Sequence, residues 1–166
     1  VKDVYRGHEV AVHTLSHPRL TELSEEAIIY QVDEDRKALE RLVGYPIVGM
    51  AYPCGGVNND ERVAAVIGAN TPIRYSRTIT SSKDFTVQTQ NLLRFNPTTY
   101  YIDEDFEETV DKFLSSNADG EQLLYIWGHA YEMDAGYITW EKFEEICKRL
   151  SGRSDIFYGT NKEVLL

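Results

Sequence analysis

The sequence predicts an α/β fold in which helices connect parallel strands. Short apolar runs of strand length alternate with longer segments whose apolar residues recur at helical spacing. A strand that is followed by a helix and then by another strand pairs in parallel through a right-handed crossover. Because 166 residues without an internal repeat or a linker suit one domain, residues 1–166 are predicted to form a single domain.

The predicted helices are bounded by capping residues. Ser24 precedes two glutamates and an apolar stripe, and Gly44 follows that stripe, as expected of an N-cap and a C-terminal stop. Asn59, Asp103 and Thr139 are placed to begin three further helices. Residues 1–5 are predicted to be the end of a helix, and two full helices are predicted at 24–43 and 59–68. A further helix after Asp103 carries Phe106, Val110, Phe113 and Leu114. The last helix runs from Thr139 to Gly152, with Phe143, Ile146, Cys147 and Leu150 inward.

The predicted strands are short apolar runs that end at turn residues. The run 46–52 stops at Pro53-Cys54-Gly55-Gly56, and the run 122–127 stops at Gly128 and His129. Alternation of side chains along the run that ends at His13 places this histidine at the carboxyl end of a strand. Three more strands are predicted at 73–79, 92–95 and 156–158.

The composition excludes several classes of protein. A net charge of −10 leaves no basic face for nucleic acid, and no apolar run approaches the roughly 18 residues of a membrane span. Cys54 and Cys147 lie too far apart in the sequence to indicate a metal motif or a disulfide framework. The sequence leaves open whether the protein acts in the cytoplasm, at the cell envelope or outside the cell.

His13 and His17 form the most informative pair in the chain. Two of the four histidines stand four residues apart directly after a strand-like run, and Pro18 favours an extended or turn conformation for His17. Chemistry in α/β folds collects at the carboxyl ends of strands. The pair is therefore predicted to bind a metal ion, and the alternative is two solvated loop histidines.

Three strand ends together resemble one enzyme family. The segments are His13-Thr14-Leu15-Ser16-His17, then Ala51-Tyr52-Pro53-Cys54-Gly55, then Trp127-Gly128-His129. In order and spacing they resemble the polysaccharide deacetylases, which are metal-dependent carbohydrate esterases with a NodB-homology domain. The first segment fits the His-Ser/Thr-x-x-His metal motif of that family, and the second is similar to its Arg-Pro-Pro-aromatic-Gly segment.

The resemblance implies a fold and a reaction. The fold would be a distorted (β/α) barrel, and the reaction would be hydrolysis of N-acetyl groups on a polysaccharide or oligosaccharide by metal-activated water. His13 and His17 would bind the divalent cation, usually Zn²⁺. His129 would act as general acid, and the backbone N–H of Cys54 would hold the oxyanion.

Aromatic residues beside these motifs suggest a sugar-binding groove. Tyr52, Trp127 and Tyr131 are predicted to line it, because sugar rings stack on aromatic faces, with plain core or pocket wall as the alternative. Cys54 is also predicted to contact the substrate. Glu132 and Asp134 follow His129 and are expected to be carboxylates of a solvated loop.

Two departures from the family pattern lead to further expectations. The Thr-Phe-Asp-Asp-Gly motif, which supplies a base and the third metal ligand, is not in the chain, and Ala51 stands where the family has an arginine. Arg77 on the neighbouring strand is predicted to supply that charge, with a plain surface ion pair as the alternative. The barrel is expected to be incomplete at its amino-terminal end, so that residues 1–166 alone have little or no activity. A second copy or a complementing chain is the expected partner for the open strand edge.

Two other functions stay open at this stage. One is a catalytically inactive relative that binds carbohydrate. The other is a hydrolase of another small C–N amide bond, since the fold and the metal permit several amides.

Overall fold

The computed structural model describes residues 1–166 and groups them into two compact units. The first unit comprises Val1–Ile79, Gln88–Asn96 and Gly159–Leu166, and the second comprises Thr80–Val87 and Pro97–Tyr158. Both contain helices and short parallel strands, which confirms the α/β class. The (β/α) barrel and the single domain over residues 1–166 remain predictions. No helix of the chain is long and apolar enough to cross a membrane.

The first unit is built on a small parallel sheet. Its elements are α1 (Glu25–Val43), β1 (Gly49–Ala51), α2 (Glu61–Asn70), β2 (Tyr75–Arg77) and α6 (Asn161–Leu165), with 3₁₀ turns at Leu20–Glu22 and Leu92–Arg94. Strands β1 and β2 pair in parallel, with Ala51 opposite Arg77. Val12 adds a parallel bridge to Met50, and Phe95 adds one to Arg77. The segment before His13 therefore lies beside β1.

The bounds of α1 follow the predicted capping signals. The Ser24 hydroxyl accepts a hydrogen bond from the backbone N–H of Ala27, and Gly44 adopts a left-handed conformation with φ +80°. Ile28 and Val32 on the apolar stripe are completely buried. Local sequence thus determines where this helix begins and ends, and burial of one face holds it against the sheet.

One apolar core fills the first unit. Its buried members come from α1, α2, the strands and the segments that lead into them. They are Val12, Leu20, Ile28, Val32, Val43, Ile47, Met50, Tyr52, Val63, Val66, Ile67 and Ile73. Because β1 has helices α1 and α2 packed in the same core, the loops after Val12 and Ala51 start from fixed positions.

The second unit has its own sheet and a smaller core. Its elements are β3 (Thr99–Tyr100), α3 (Phe106–Leu114), β4 (Ile126–Trp127), the short α4 (Tyr131–Asp134) and α5 (Trp140–Leu150). Strands β3 and β4 pair in parallel, with Tyr100 opposite Trp127. Tyr101, Phe106, Val110 and Ile146 are the buried residues of its core. Strand β3 is an element that the sequence analysis missed.

Two predicted helix caps are wrong by one or two residues. The N-cap of α2 is Asp60, whose carboxylate accepts from the N–H of Val63, whereas the Asn59 side chain accepts from Arg94. Helix α3 begins after Asp105, and the Asp103 carboxylate accepts from Lys83 instead. In both cases the side chain of the predicted cap residue accepts from a distant partner. Asp105 makes no side-chain cap bond and also pairs with Lys83.

Most of the predicted strands are too long. The segment 92–95 is a 3₁₀ turn up to Arg94, and only the last two residues of 122–127 belong to β4. Residues 156–158 form no strand, and Phe157 is 73% exposed. Apolar residues alone do not make a strand where no partner strand lies alongside.

Two smaller expectations are also wrong. Cys147 lies on the exposed face of α5, although Ile146 beside it is buried as predicted. Residues 2–7 form turns and not the end of a helix.

Candidate functional site

His13 follows the bridge to β1 and is held by two hydrogen bonds. Its backbone N–H donates to Oδ2 of Asp35 on α1 at 2.9 Å, and its Nδ1 lies 2.8 Å from the carbonyl oxygen of Ala51. Because a carbonyl only accepts, Nδ1 carries the proton and Nε2 carries the lone pair. Asp35 is a site residue that the sequence analysis missed, since nothing in the local pattern links it to His13.

The surroundings of His13 favour a neutral ring. Desolvation by the surrounding protein lowers the pKa of His13, and the neighbouring His17 and Arg77 lower it further, while the Ala51 carbonyl and Asp35 oppose the shift. A neutral imidazole with a lone pair is the form that binds a metal ion.

His17 lies between the His13 ring and the Cys54 loop. The two imidazole rings have centroids 5.0 Å apart and meet nearly edge to face. The Cys54 Sγ lies 3.6 Å from Nδ1 of His17, and the backbone N–H of Cys54 lies 3.4 Å from its Nε2. These contacts are long, so neither nitrogen of His17 is committed to a strong hydrogen bond. The first unit therefore brings His13, His17 and Cys54 together.

Backbone strain is concentrated in these two loops. Thr14, His17 and Cys54 have φ values of +70°, +57° and +65°, and only Lys83 and Asn91 elsewhere share positive φ among non-glycine residues. Such conformations cost about 1–3 kcal/mol each and persist where surrounding structure enforces them. Thr14 is also buried with no hydrogen-bond partner for its hydroxyl. This combination is typical of a functional site.

Asn58 fixes the Cys54 loop from beneath. Its side chain is completely buried, and its Nδ2 donates to the carbonyls of Pro53 at 2.8 Å and Cys54 at 2.7 Å. The sequence analysis did not identify Asn58, because an asparagine next to a helix cap normally indicates only a turn.

The two histidines suit a metal ion as part of a ligand set. His13 donates its other ring nitrogen to a backbone carbonyl, which is the usual arrangement for metal-binding histidines. A catalytic zinc site has three protein ligands, and no group of three His, Cys, Asp or Glu side chains in the chain is arranged to hold a metal ion. The residues present therefore fit two positions of such a site.

Arg77 lies on β2 directly opposite Ala51. Its Nη1 donates to the carbonyl of Thr78 at 2.8 Å, and its charge contributes to the lowered pKa of His13. The guanidinium is thus close enough to act electrostatically on the histidine pair. Its role as a substitute for the family arginine stays a prediction.

Tyr52 belongs to the core. It is 1% exposed, and its hydroxyl donates to the carbonyl of Leu93 at 2.7 Å. Burial raises the pKa of this hydroxyl. A sugar ring cannot stack on a ring that is already enclosed, so we do not retain the predicted substrate contact of Tyr52.

Trp127 and His129 lie in the second unit within an aromatic cluster. The Trp127 ring stacks on Tyr100 with centroids 4.2 Å apart, and His129 meets both rings edge to face. Tyr131 lies 5.0 Å from the His129 ring and is largely exposed. The predicted groove residue and the predicted general acid are therefore neighbours. The roles of Trp127 in the groove and of His129 as general acid stay predictions.

Glu132 is buried and not part of a solvated loop. It is 2% exposed, its Oε1 lies 2.8 Å from Nδ1 of His129, and its Oε2 accepts from the backbone N–H of His129 at 2.9 Å. Asp134 is exposed, as expected. Glu132 and Asp134 therefore differ in burial, although the sequence gives no reason to distinguish them.

Comparison with known proteins supports the family resemblance. Residues 2–71 match the family model for polysaccharide deacetylase, a span that includes His13, His17 and Cys54. This match supports a polysaccharide deacetylase family domain in that part of the chain.

A curated relative points the same way. Over 62 residues the chain is 32% identical to the peptidoglycan-N-acetylmuramic acid deacetylase PdaC of Bacillus subtilis (strain 168). The matched segment is 37% of this chain and only 13% of that protein. No solved structure matches the chain.

Proposed function

We propose that the protein takes part in metal-dependent hydrolysis of N-acetyl groups on a polysaccharide or oligosaccharide. The observation that carries this proposal is the pair of neighbouring imidazoles, His13 and His17, whose ring planes meet at 66° within the segment that matches the deacetylase family. A cation bound there, with Zn²⁺ as the best fit to imidazole ligands, supplies a Lewis acid that polarises the acetyl carbonyl and acidifies water.

The chain's own residues would each do one task in this reaction. His13 and His17 would hold the cation, and the contact of His13 Nδ1 with the Ala51 carbonyl would leave Nε2 as the ligand nitrogen. The backbone N–H of Cys54 donates to the oxygen that gains charge as the acetyl carbon becomes tetrahedral. Arg77 adds a positive charge near His13. The chain has no group of three or more His, Cys, Asp or Glu side chains that could hold a metal ion, so His13 and His17 would fill two ligand positions only.

His129 would complete the reaction by proton transfer. When the C–N bond breaks, its electron pair stays on the amine nitrogen, which takes a proton from the imidazolium of His129. Trp127 with Tyr100, and the exposed Tyr131, offer aromatic faces on which a pyranose ring can stack. This arrangement favours a glycan over a small amide as the substrate.

Acetate release from N-acetylated chitooligosaccharides tests the proposal. It is measured with added Zn²⁺ on residues 1–166 and on the full protein as it exists naturally. We expect turnover by the full protein that falls at least about 100-fold in His13→Ala and in His129→Ala, since a metal ligand and a positioned acid are each lost. His8→Ala, at an exposed histidine of the same unit, is the control and keeps full activity. Equal turnover by the full wild-type protein and its three variants contradicts the proposal.

A second candidate function is glycan binding without hydrolysis. The absence of a three-residue ligand group and Ala51 in place of the family arginine favour it. Saturable binding of the same oligosaccharides by the full protein, with no acetate released at any metal concentration, would establish this alternative.

A further inference from the structure

The His129–Glu132 pair has a geometry that its surroundings enforce. The Glu132 carboxylate is almost completely buried, and both of its oxygens contact the same residue, one at the backbone N–H and one at Nδ1 of the ring. The His129 side chain is 39% exposed, so the ring contacts a buried carboxylate and also reaches the surface of the unit.

Tyr101 clamps the same histidine from another direction. Its hydroxyl accepts from the backbone N–H of His129 at 3.0 Å and donates to the His129 carbonyl at 2.5 Å. The Tyr101 ring belongs to the core of the second unit. Both backbone polar groups of His129 are therefore anchored, and its side-chain position is set by Glu132.

The contacts determine which ring nitrogen carries the proton. The backbone N–H can only donate, so Oε2 of Glu132 must accept. An ionised carboxylate also only accepts, and imidazole is a stronger base than carboxylate, so the proton between Oε1 and the ring lies on Nδ1. The neutral ring then has its lone pair on Nε2, and the imidazolium carries its exchangeable proton there.

We propose that Glu132 is a positioning residue that fixes the proton of His129 on Nδ1 and thereby makes Nε2 the nitrogen that exchanges a proton with a bound ligand. As a statement about catalysis this rests on the proposed function, because His129 is the general acid in that reaction. After the transfer to the leaving amine, the neutral ring that remains is the tautomer that Glu132 already stabilises, so no proton has to move between the ring nitrogens.

Substitution by glutamine provides a sharp test. Glutamine has the same shape but only one acceptor oxygen, and the two contacts of Glu132 are both with donors. Its oxygen is expected to accept from the backbone N–H, because in the flipped orientation the NH₂ group would face that donor. The NH₂ group then faces Nδ1 and requires a lone pair there. Glu132→Gln is therefore expected to move the ring proton from Nδ1 to Nε2. Asp134→Asn removes the same charge from the same helix at an exposed position and is the matched control.

The measurement is the ¹⁵N chemical shifts of the His129 ring nitrogens in residues 1–166, taken at a pH where the ring is neutral. We expect the wild type and Asp134→Asn to hold the proton mainly on Nδ1, and Glu132→Gln to hold it mainly on Nε2. A wild-type ring protonated mainly on Nε2 overturns the inference without any variant. The same tautomer in wild type and Glu132→Gln, with folding confirmed by circular dichroism, also overturns it.

The result is independent of hydrolysis. The NMR shifts report the tautomer whether or not acetate is released, so the expected shifts without turnover support the role of Glu132 and contradict the proposed function. Turnover by the full protein with the proton on Nε2 contradicts the role of Glu132 and leaves the proposed function intact.

Discussion

At the scale of single residues, the candidate site depends on a few side chains held by hydrogen-bond partners. His13 is oriented by the Ala51 carbonyl and Asp35, and His17 and Cys54 adopt backbone conformations that few residues tolerate. Strain of this kind persists only when the rest of the unit supports it. The same loops lie within residues 2–71, the part of the chain that matches the family model for polysaccharide deacetylase.

The histidine pair is predicted to bind Zn²⁺ through both rings. His13→Ala and His17→Ala should each weaken Zn²⁺ binding by residues 1–166 about tenfold or more, because each removes one of the ligands present. Isothermal titration calorimetry measures the effect. His8→Ala should leave the affinity unchanged, and equal affinity in all variants would rule out the pair as ligands.

Variants of Cys54 test the role of its thiol and the strain of its backbone separately. Cys54→Ala should leave Zn²⁺ affinity within about twofold of the wild type, because only the backbone N–H of Cys54 is assigned a role. Cys54→Gly should raise the free energy of unfolding by about 1 kcal/mol relative to Cys54→Ala, since glycine tolerates the φ of +65°. Urea unfolding measures the second effect. A large loss of Zn²⁺ affinity in Cys54→Ala would instead make the thiol a ligand.

At the scale of elements, loops and helix ends carry the site and depend on polar groups beneath them. Asn58→Ala should lower the free energy of unfolding by about 2 kcal/mol, because two buried carbonyls lose their donor. Urea unfolding checks this value. Asn70→Ala removes a single bond to the end of α2 and should cost less. Equal costs would show that the Cys54 loop does not need Asn58.

Helix α1 contains a charged network that predicts acid sensitivity. The Ile47 N–H and Arg36 lower the pKa of Glu40 below its ordinary value of 4.5. Its folded-state pKa is depressed, so its contribution to stability is complete well above pH 4.5 and is lost as the pH falls through that value toward the folded-state pKa.

Glu40→Gln tests this pH dependence. The variant should be less stable than the wild type at pH 7, and the difference should shrink near pH 4, as measured by urea unfolding at both values. Glu121→Gln, at an exposed carboxylate of the second unit, should show little difference at either pH. A difference for Glu40→Gln that does not change between pH 7 and pH 4 would contradict the assignment.

At the scale of the whole molecule, the two units have cores of different size. Twelve buried apolar residues form the core of the first unit, and four form that of the second. Amide hydrogen exchange should therefore be slower in the first unit, by about tenfold or more between Val32 and Val110, which are equally buried helical residues. Equal protection at the two positions would mean that the units unfold together.

The sequence analysis succeeded where local signals act over a few residues. Ser24 and Gly44 bound α1 because a hydroxyl cap and a left-handed glycine act within one turn of helix. It failed where a distant partner decides, as with Asn59, which accepts from Arg94 and leaves the cap of α2 to Asp60, and with 156–158, which has no strand beside it. His13 and His17 could be identified because their spacing matches a motif, whereas Asp35 could not.

By itself the sequence determined the alternation of helices and strands, the caps of α1 and the family resemblance carried by His13 and His17. These properties depend on residue types at short spacing. Only the tertiary structure decided that Tyr52 is enclosed in the core and that Glu132 is buried against His129 while Asp134 is exposed. Burial and hydrogen-bond pairing depend on segments far apart in the chain, so one of two neighbouring carboxylates is solvated and the other is buried in contact with a histidine.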